Sequence, residues 1–366
     1  MEETMANEDS AISRNVSGER VRRTPLQISR EARAELKALS KPCAWRAWRA
    51  LASDWAQIVA AGSAIYWAVW LSGTGWALGL LPFAWLMIGT RMRALATILH
   101  EGSHRSLARA RWLNIVMGTV CSGWWILQLH WRYCASHISG HHTWLGDFEK
   151  DPDIAQYRRL RLLDQNPTTL LRRNMLHLLL GLGAFVNLPY LLRDRLLPEP
   201  GKALEVHALV EIAGFILAWA SLLTVLNLTG TLVPFLMIWV VPYLTTFQAT
   251  NHLIETLEHF PLTWTRQASV EWTRNRKGPW FERWLTGAHG EGWHRVHHLL
   301  PGIPFWNLER AHEILMTDPV YAAFERESGG IFVRGRNGEP PIIKAMIGEL
   351  AAYQYIHLIQ IEEVRS

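Results

Sequence analysis

Paired cysteines are missing from this 366-residue chain: Cys43, Cys121 and Cys134 follow no paired spacing. That excludes a disulfide-stapled secreted fold, a thiolate zinc module and a fused iron–sulfur domain as the basis of the structure. The N-terminus also lacks the short apolar core and small-residue cleavage site of a secretory signal. Residues 1–28 mix charges with Ser, Asn and Thr without apolar periodicity, the composition of a mobile tail. No solenoid repeat or low-complexity linker divides the rest. Although the formal net charge is +5, no aromatic-basic pattern suits nucleic acid. The basic excess fits positive segments beside anionic lipid headgroups.

The most informative absence is charge within two long runs. Trp55–Thr90 contains no Asp, Glu, Lys or Arg, and Gly214–Glu255 has none before its last residue. A helix crosses a hydrocarbon core of ~30 Å with roughly 20 residues, so each run is long enough for two crossings. Ser72-Gly73-Thr74-Gly75 and Asn227-Leu228-Thr229-Gly230 interrupt them with tight-turn composition. Soluble core helices rarely run so far without a charged face. The expected fold is therefore all-α and integral to the membrane, with two transmembrane hairpins and four crossings. Both hairpin turns are uncharged, so Lys and Arg fall on one side. By the positive-inside rule that side is the cytoplasm, with both termini and the long middle segment facing it.

Within this plan, Ser29–Asp54 reads as an amphipathic helix on the membrane surface. Trp112–Leu129 is long enough to cross, but Arg132 and Lys150 follow it, so a re-entrant or surface-lying path is expected. Leu176–Leu192, with His177, Asn187 and Pro189, is expected to pack against the surface. Residues 29–330 form the membrane domain with a cytosolic helical cap, and 331–366 a C-terminal cytosolic extension.

What the chain does have is histidine in clusters: His100-Glu-Gly-Ser-His104, His137-Ile-Ser-Gly-His141-His142 and His294-Arg-Val-His297-His298. Spacings of three and four place imidazoles on one helical face, so a short helix can offer several ligands to one metal. Eight imidazoles exceed a single tetrahedral site and suit two metal ions. Imidazole binds Zn, Cu, Fe and Ni, whereas Mg and Ca require oxygen donors. Iron gives such a site a distinctive task, the activation of dioxygen. A helix continuing from Thr90 reaches His100 about 15 Å later, and one continuing from the second hairpin carries His259 a similar distance. Ligands from both hairpins can thus reach the same height.

HEGSH, HISGHH and GEGWHRVHH resemble the three histidine boxes of the integral-membrane fatty acid desaturase and hydroxylase superfamily, and LLPGIPFWNLERAHEIL resembles the stretch that follows the third box. The similarity runs from the first hairpin to about residue 320. Three residues separate the first histidine of the second box from its pair, as in alkane hydroxylases, whereas GEGWH is similar to acyl desaturases. The resemblance implies a non-haem di-iron centre with dioxygen as co-substrate, and a ninth ligand just after the fourth crossing. His252 and His259 compete for that position at identical helical phase, and Glu-His-Phe around His259 is the better match.

Glu101, Asp147 and Glu258 are candidates to orient the ligating histidines, with Asp151 and Asp153 read as loop or solvated charges. His252 is alternatively a polar residue of a substrate channel. His130, His177, His207, His289, His312 and His357 read as ordinary packed or surface histidines. The expected reaction is O2-dependent desaturation of a fatty acyl or similar aliphatic chain; hydroxylation of an alkyl chain or small metabolite is the alternative. With no cysteine cluster for a fused carrier domain, electrons come from a separate ferredoxin or rubredoxin and its reductase. Arg158, Arg159, Arg161, Arg172 and Arg173 would dock that carrier or touch headgroups. A membrane metal-binding or transport protein is the rival from another class. It would need ionisable acids inside the crossings, which both hairpins lack. A haem carrier would place axial histidines singly on facing helices.

Overall fold

The computed structural model describes residues 26–166, 168–170, 172–173, 182–266 and 269–365, so the expected tail and residues 176–181 of the expected surface segment fall largely or wholly outside them. Among the described residues the fold is helical, without a strand. Helix α1, Arg30–Leu39, begins at Ser29, whose hydroxyl accepts the Ala32 N–H at 3.1 Å. Helix α2 spans Ala44–Tyr66. The single surface helix expected over Ser29–Asp54 is thus two elements. Pro42 supplies no N–H and restricts Lys41, so the chain turns there and Ala44–Asp54 becomes the first part of α2.

α2 and helix α3, Leu81–Ser103, form the first hairpin, turning where Gly73 adopts a left-handed φ of 62°. Leu51, Ile58 and Ile65 share one buried cluster with Ala84, Ile88 and Met92. The second hairpin joins helix α4, Val206–Leu228, to a helical run over Leu232–Thr265. These two are the helices among the described residues that are long and apolar enough to cross a membrane. α4 buries only Ala208 and exposes Val210, Leu217 and Leu228, as a lipid-facing helix does. The first pair falls short of that measure because its charge-free run is rich in Trp, Gly, Ser and Thr.

Segment 111–129 is broken: a short helix at Arg111–Ile115, a wider π turn at Val116–Val120, a tight turn at Gly123–Ile126 and a left-handed Leu127. It therefore forms no continuous crossing helix. Its irregular carbonyls need donors, because buried backbone must be paired. Tryptophans supply them: the indole N–H of Trp55 donates to Cys121 O at 2.9 Å, that of Trp219 to Trp124 O at 2.9 Å and that of Trp239 to Trp125 O at 3.1 Å. Trp55 also stacks on Trp239 at 5.6 Å. Both hairpins hold the broken segment between them.

Helix α5, Gln248–His259, is the last full helix of the long run. A Cβ on Gly89 would lie 2.1 Å from Thr246 Oγ1 and 2.7 Å from Phe247 N, so α3 and the second hairpin cross there at backbone distance. His100 and His259 stand beyond this crossing by roughly 16 and 18 Å of helix rise. Residues 331–350 pack inward, with Ile331, Ile342, Met346 and Leu350 in one cluster with Leu253, Leu257 and Phe260.

Candidate metal centre

The three boxes converge. Among the described residues, His100, His104, His137, His142 and His297 bring one ring nitrogen each within 4.8 Å of one another, and His141, His259, His294 and His298 form a second such group. The first box, at the end of α3, serves the first group alone. His100 and His104 are one helical turn apart, and their rings lie 4.8 Å centre to centre.

The second box is divided by its backbone. Cys134–His142 is a π-helix, in which hydrogen bonds join residues five apart. His137 and His142 therefore share a face, with Nε2 atoms 3.1 Å apart, while His141 turns to the other group. An α-helical face, the expectation from spacing, would have paired His137 with His141. In helix α6, His294–Leu299, His294 and His298 face each other at 3.1 Å, but His297 looks the other way to His142 at 3.1 Å, so the single face expected of all three is divided between the two groups.

In the four-histidine group, the successive Nε2 separations are 3.1 Å from His141 to His259, 2.9 Å from His259 to His294, 3.1 Å from His294 to His298 and 3.3 Å from His298 to His141. A metal about 2.1 Å from each nitrogen spaces tetrahedral ligands by roughly 3.4 Å. Contacts at the outer nitrogens orient three of these rings. His259 Nδ1 donates to the Trp272 carbonyl at 3.0 Å, His141 Nδ1 to Asp151 at 3.1 Å, and His294 Nδ1 lies 3.5 Å from Glu258. With its proton on Nδ1, His259 turns an Nε2 lone pair toward His141 and His294, and a positive charge between these nitrogens, a proton on His141 Nε2 or a metal ion, is what the arrangement accommodates. In the five-histidine group, His104 Nε2 is buried without a hydrogen bond. The donor set fits a metal, and the clusters are consistent with a metal site.

The electrostatics agree. Burial and the neighbouring imidazoles hold His137, His142, His294, His297 and His298 well below the ordinary histidine range, which keeps them neutral. Burial opposes protonation of His141 as well, but Asp151 and Asp153 outweigh it and push its pKa up to about 9. The same carboxylates favour any positive charge at His141 Nε2, a metal ion included.

Of the expected orienting carboxylates, Glu101 and Glu258 contact histidines. Helical phase alone turns Glu101 away from both ligands of its box, yet its Oε1 lies 3.2 Å from His100 Nδ1, while its Oε2 accepts Ser106 Oγ at 2.6 Å and the Phe305 N–H at 3.1 Å. Asp147 instead accepts the backbone N–H groups of Glu149 and Lys150 at 2.9 and 3.0 Å and shapes the loop. Asp151 makes the histidine contact, and it also caps Pro152–Arg159 by accepting the Asp153 N–H at 3.0 Å. A capping pattern in the sequence thus masks a second role. Asp153 reaches His141 Nδ1 at 3.3 Å.

His259 joins the four-histidine group and His252 lies outside both. Identical phase does not mean identical height: seven residues separate them by roughly 10 Å along the helix. His130, His207, His289 and His312 also stand outside, His289 bonding Asp54 at 2.5 Å and His312 bonding Tyr321 at 2.8 Å. His177 and the His357 side chain lie outside the described residues. The cavity against both groups is lined further by Arg93, Arg195, Glu255 and Glu291, which sequence reading did not single out. Their only signal is charge beside an apolar run or a histidine box.

The fatty acid desaturase family model matches residues 74–325, which include all three boxes and His259. Dihydrorhizobitoxine desaturase of Bradyrhizobium elkanii is 36% identical over 320 residues, covering 87% of this chain and 88% of that protein. The sn-1 oleoyl-lipid 12-desaturase of Synechocystis is 24% identical over 296 residues, 76% of this chain and 77% of its own length. Its namesake from Anabaena variabilis is 26% identical over 256 residues, 64% of this chain and 68% of its own. The chain belongs to the fatty acid desaturase family and is a desaturase-like oxidoreductase.

Proposed function

We propose that this chain is a membrane-bound, dioxygen-dependent desaturase with two non-haem irons, seated by four crossings with both termini and the metal centre on the cytoplasmic side. The observation that carries this reading is the division of nine imidazoles into groups of five and four, each residue bringing one ring nitrogen within 4.8 Å of the others in its group. His100, His104, His137, His142 and His297 would hold one iron; His141, His259, His294 and His298 would hold the other. Bound there, the irons supply the activation of dioxygen for attack on an unactivated C–H bond. Two hydrogens leave adjacent carbons as an alkene forms, and dioxygen, with two electrons and two protons, becomes two waters.

The protein's own residues do the positioning. Asp151 and the Trp272 carbonyl accept the Nδ1 protons of His141 and His259, which aims each Nε2 inward, and Glu258 lies 3.5 Å from His294 Nδ1. The π-helix at Cys134–His142 sends one box to both irons and so ties their placement together. A separate ferredoxin or rubredoxin with its reductase delivers the electrons. The named relatives act on dihydrorhizobitoxine and on oleoyl-lipid, so the family reaction supports desaturation without fixing the saturated segment that is attacked. The test is the full chain in membranes with ferredoxin, ferredoxin reductase and dioxygen, followed by mass spectrometry of host extracts. A product two hydrogens lighter than its precursor, absent in His297→Ala, is expected. A product one oxygen heavier instead would make the enzyme a hydroxylase.

A further inference from the structure

The cavity that touches both histidine groups has charged side chains in its wall among apolar ones such as Ala96, Leu191 and Leu308. Beside His100 and His259 in the lining stand Arg93, Arg195, Asn251, Glu255 and Glu291. Arg93 binds Asn251 and Glu291 and lies 3.3 Å from Glu255. Arg195 bonds Tyr190 at 3.0 Å and stacks 4.5 Å over the Tyr133 ring, itself 5.1 Å from His137. An acyl chain gains about 0.8 kcal/mol per methylene only when its surroundings are apolar. Pressed against these groups it would strip them of polar contacts, at a cost.

Size points the same way. The cavity holds about 50 Å³, room for roughly four waters. Two of its buried polar atoms, Arg93 Nε and Glu291 Oε2, make no hydrogen bond; Arg276 approaches the latter only to 3.5 Å. One is a donor and the other an acceptor, and buried groups of both kinds call for partners. Outside lies a groove of about 480 Å³ whose wall includes Asp54, Arg91, Arg276 and Glu309. His289 lines both spaces and bonds Asp54, so the way inward passes charged side chains.

We propose that the substrate is a small, water-soluble molecule with charged groups of both signs, entering by the His289 groove. Arg93 takes its anionic or acceptor group and Glu291 its cationic or donor group, while the saturated segment between them faces the histidines. This substrate assignment rests on the desaturase reading above.

The full chain in its membrane, with iron, dioxygen, ferredoxin and its reductase, is given either the total water-soluble extract of host cells or the total lipid extract as vesicles. Mass spectrometry then seeks products two hydrogens lighter. Such products from the water-soluble extract alone are expected, and purified precursor should show a KM raised about tenfold or more in Glu291→Gln, with kcat and iron content retained. Products from the lipid vesicles alone overturn the assignment and leave the desaturase reading standing. An unchanged KM in a folded, iron-loaded Glu291→Gln overturns the role of Glu291. No lighter product from either extract, with two irons bound per chain, overturns the desaturase reading together with the assignment.

Discussion

Replacing Asp151 with Asn isolates what a buried carboxylate does for the four-histidine group. Asp151 is fully buried, and its Oδ1 accepts His141 Nδ1–H at 3.1 Å and the Asp153 N–H at 3.0 Å, while Oδ2 accepts the Gly146 N–H at 3.0 Å. The amide keeps the shape, loses the charge and sets an NH2 group against one of these donors. A hydrogen bond to a charged group contributes about 1.5–3 kcal/mol. Loss of an outer partner of a metal-bound histidine costs about 10–100-fold in metal affinity, or about 1.4–2.7 kcal/mol. Asp153 still reaches His141 at 3.3 Å, so the single variant should fall near tenfold and Asp151→Asn with Asp153→Asn near a hundredfold. Metal retained per chain is measured by mass spectrometry after dialysis against graded chelator, with thermal melting as a control for folding. One of the two metals should leave at lower chelator concentration while the other holds. Wild-type retention of both metals in a folded double variant would refute the coupling of Asp151 to the site.

Four-histidine geometry further predicts that His259→Ala retains one metal per chain and loses desaturation, whereas His252→Ala retains two; metal counting separates them. Gly89→Ala would drive a methyl into Thr246 Oγ1 and Phe247 N, and overpacking of this kind costs about 1–3 kcal/mol, so the melting temperature in detergent should fall. For pH, His137, His142, His294, His297 and His298 are held well below the ordinary value near 6.5. Unfolded imidazoles gain protons as pH falls through about 6.5, while the folded ones stay neutral until far lower. These five histidines therefore contribute stability that is lost as pH falls below about 6.5, whereas His141, pushed up to about 9, contributes in the opposite sense and loses its share as pH rises toward 9. With five groups against one, the metal-free protein should fall off more steeply on the acid side of about 6.5 than on the alkaline side, as melts between pH 8 and about pH 5 would record.

The sequence made some levels of this structure legible and hid others. Two charge-free runs and their glycine turns anticipate both helical hairpins, because hydropathy and turn chemistry are local properties. The boxes anticipate which histidines gather, since clustered imidazoles have few structural uses. How they divide is another matter: nothing local in Cys134–His142 announces a π-helix, and one extra residue per turn decides that His141 leaves His137. Which of His252 and His259 reaches the site likewise depends on where Gly89 lets two helices cross. Asp151 was obscured by its capping position beside Pro152, and the Trp indoles that pair the carbonyls of 121–125 act across more than 60 residues of sequence in the Trp55 case.

The most direct test of the central claim is a crystal structure of the iron-loaded protein with anomalous scattering measured at the iron edge. Two peaks are expected, one enclosed by His100, His104, His137, His142 and His297 and the other by His141, His259, His294 and His298. A single peak, or iron bound away from these nine side chains, would contradict the account.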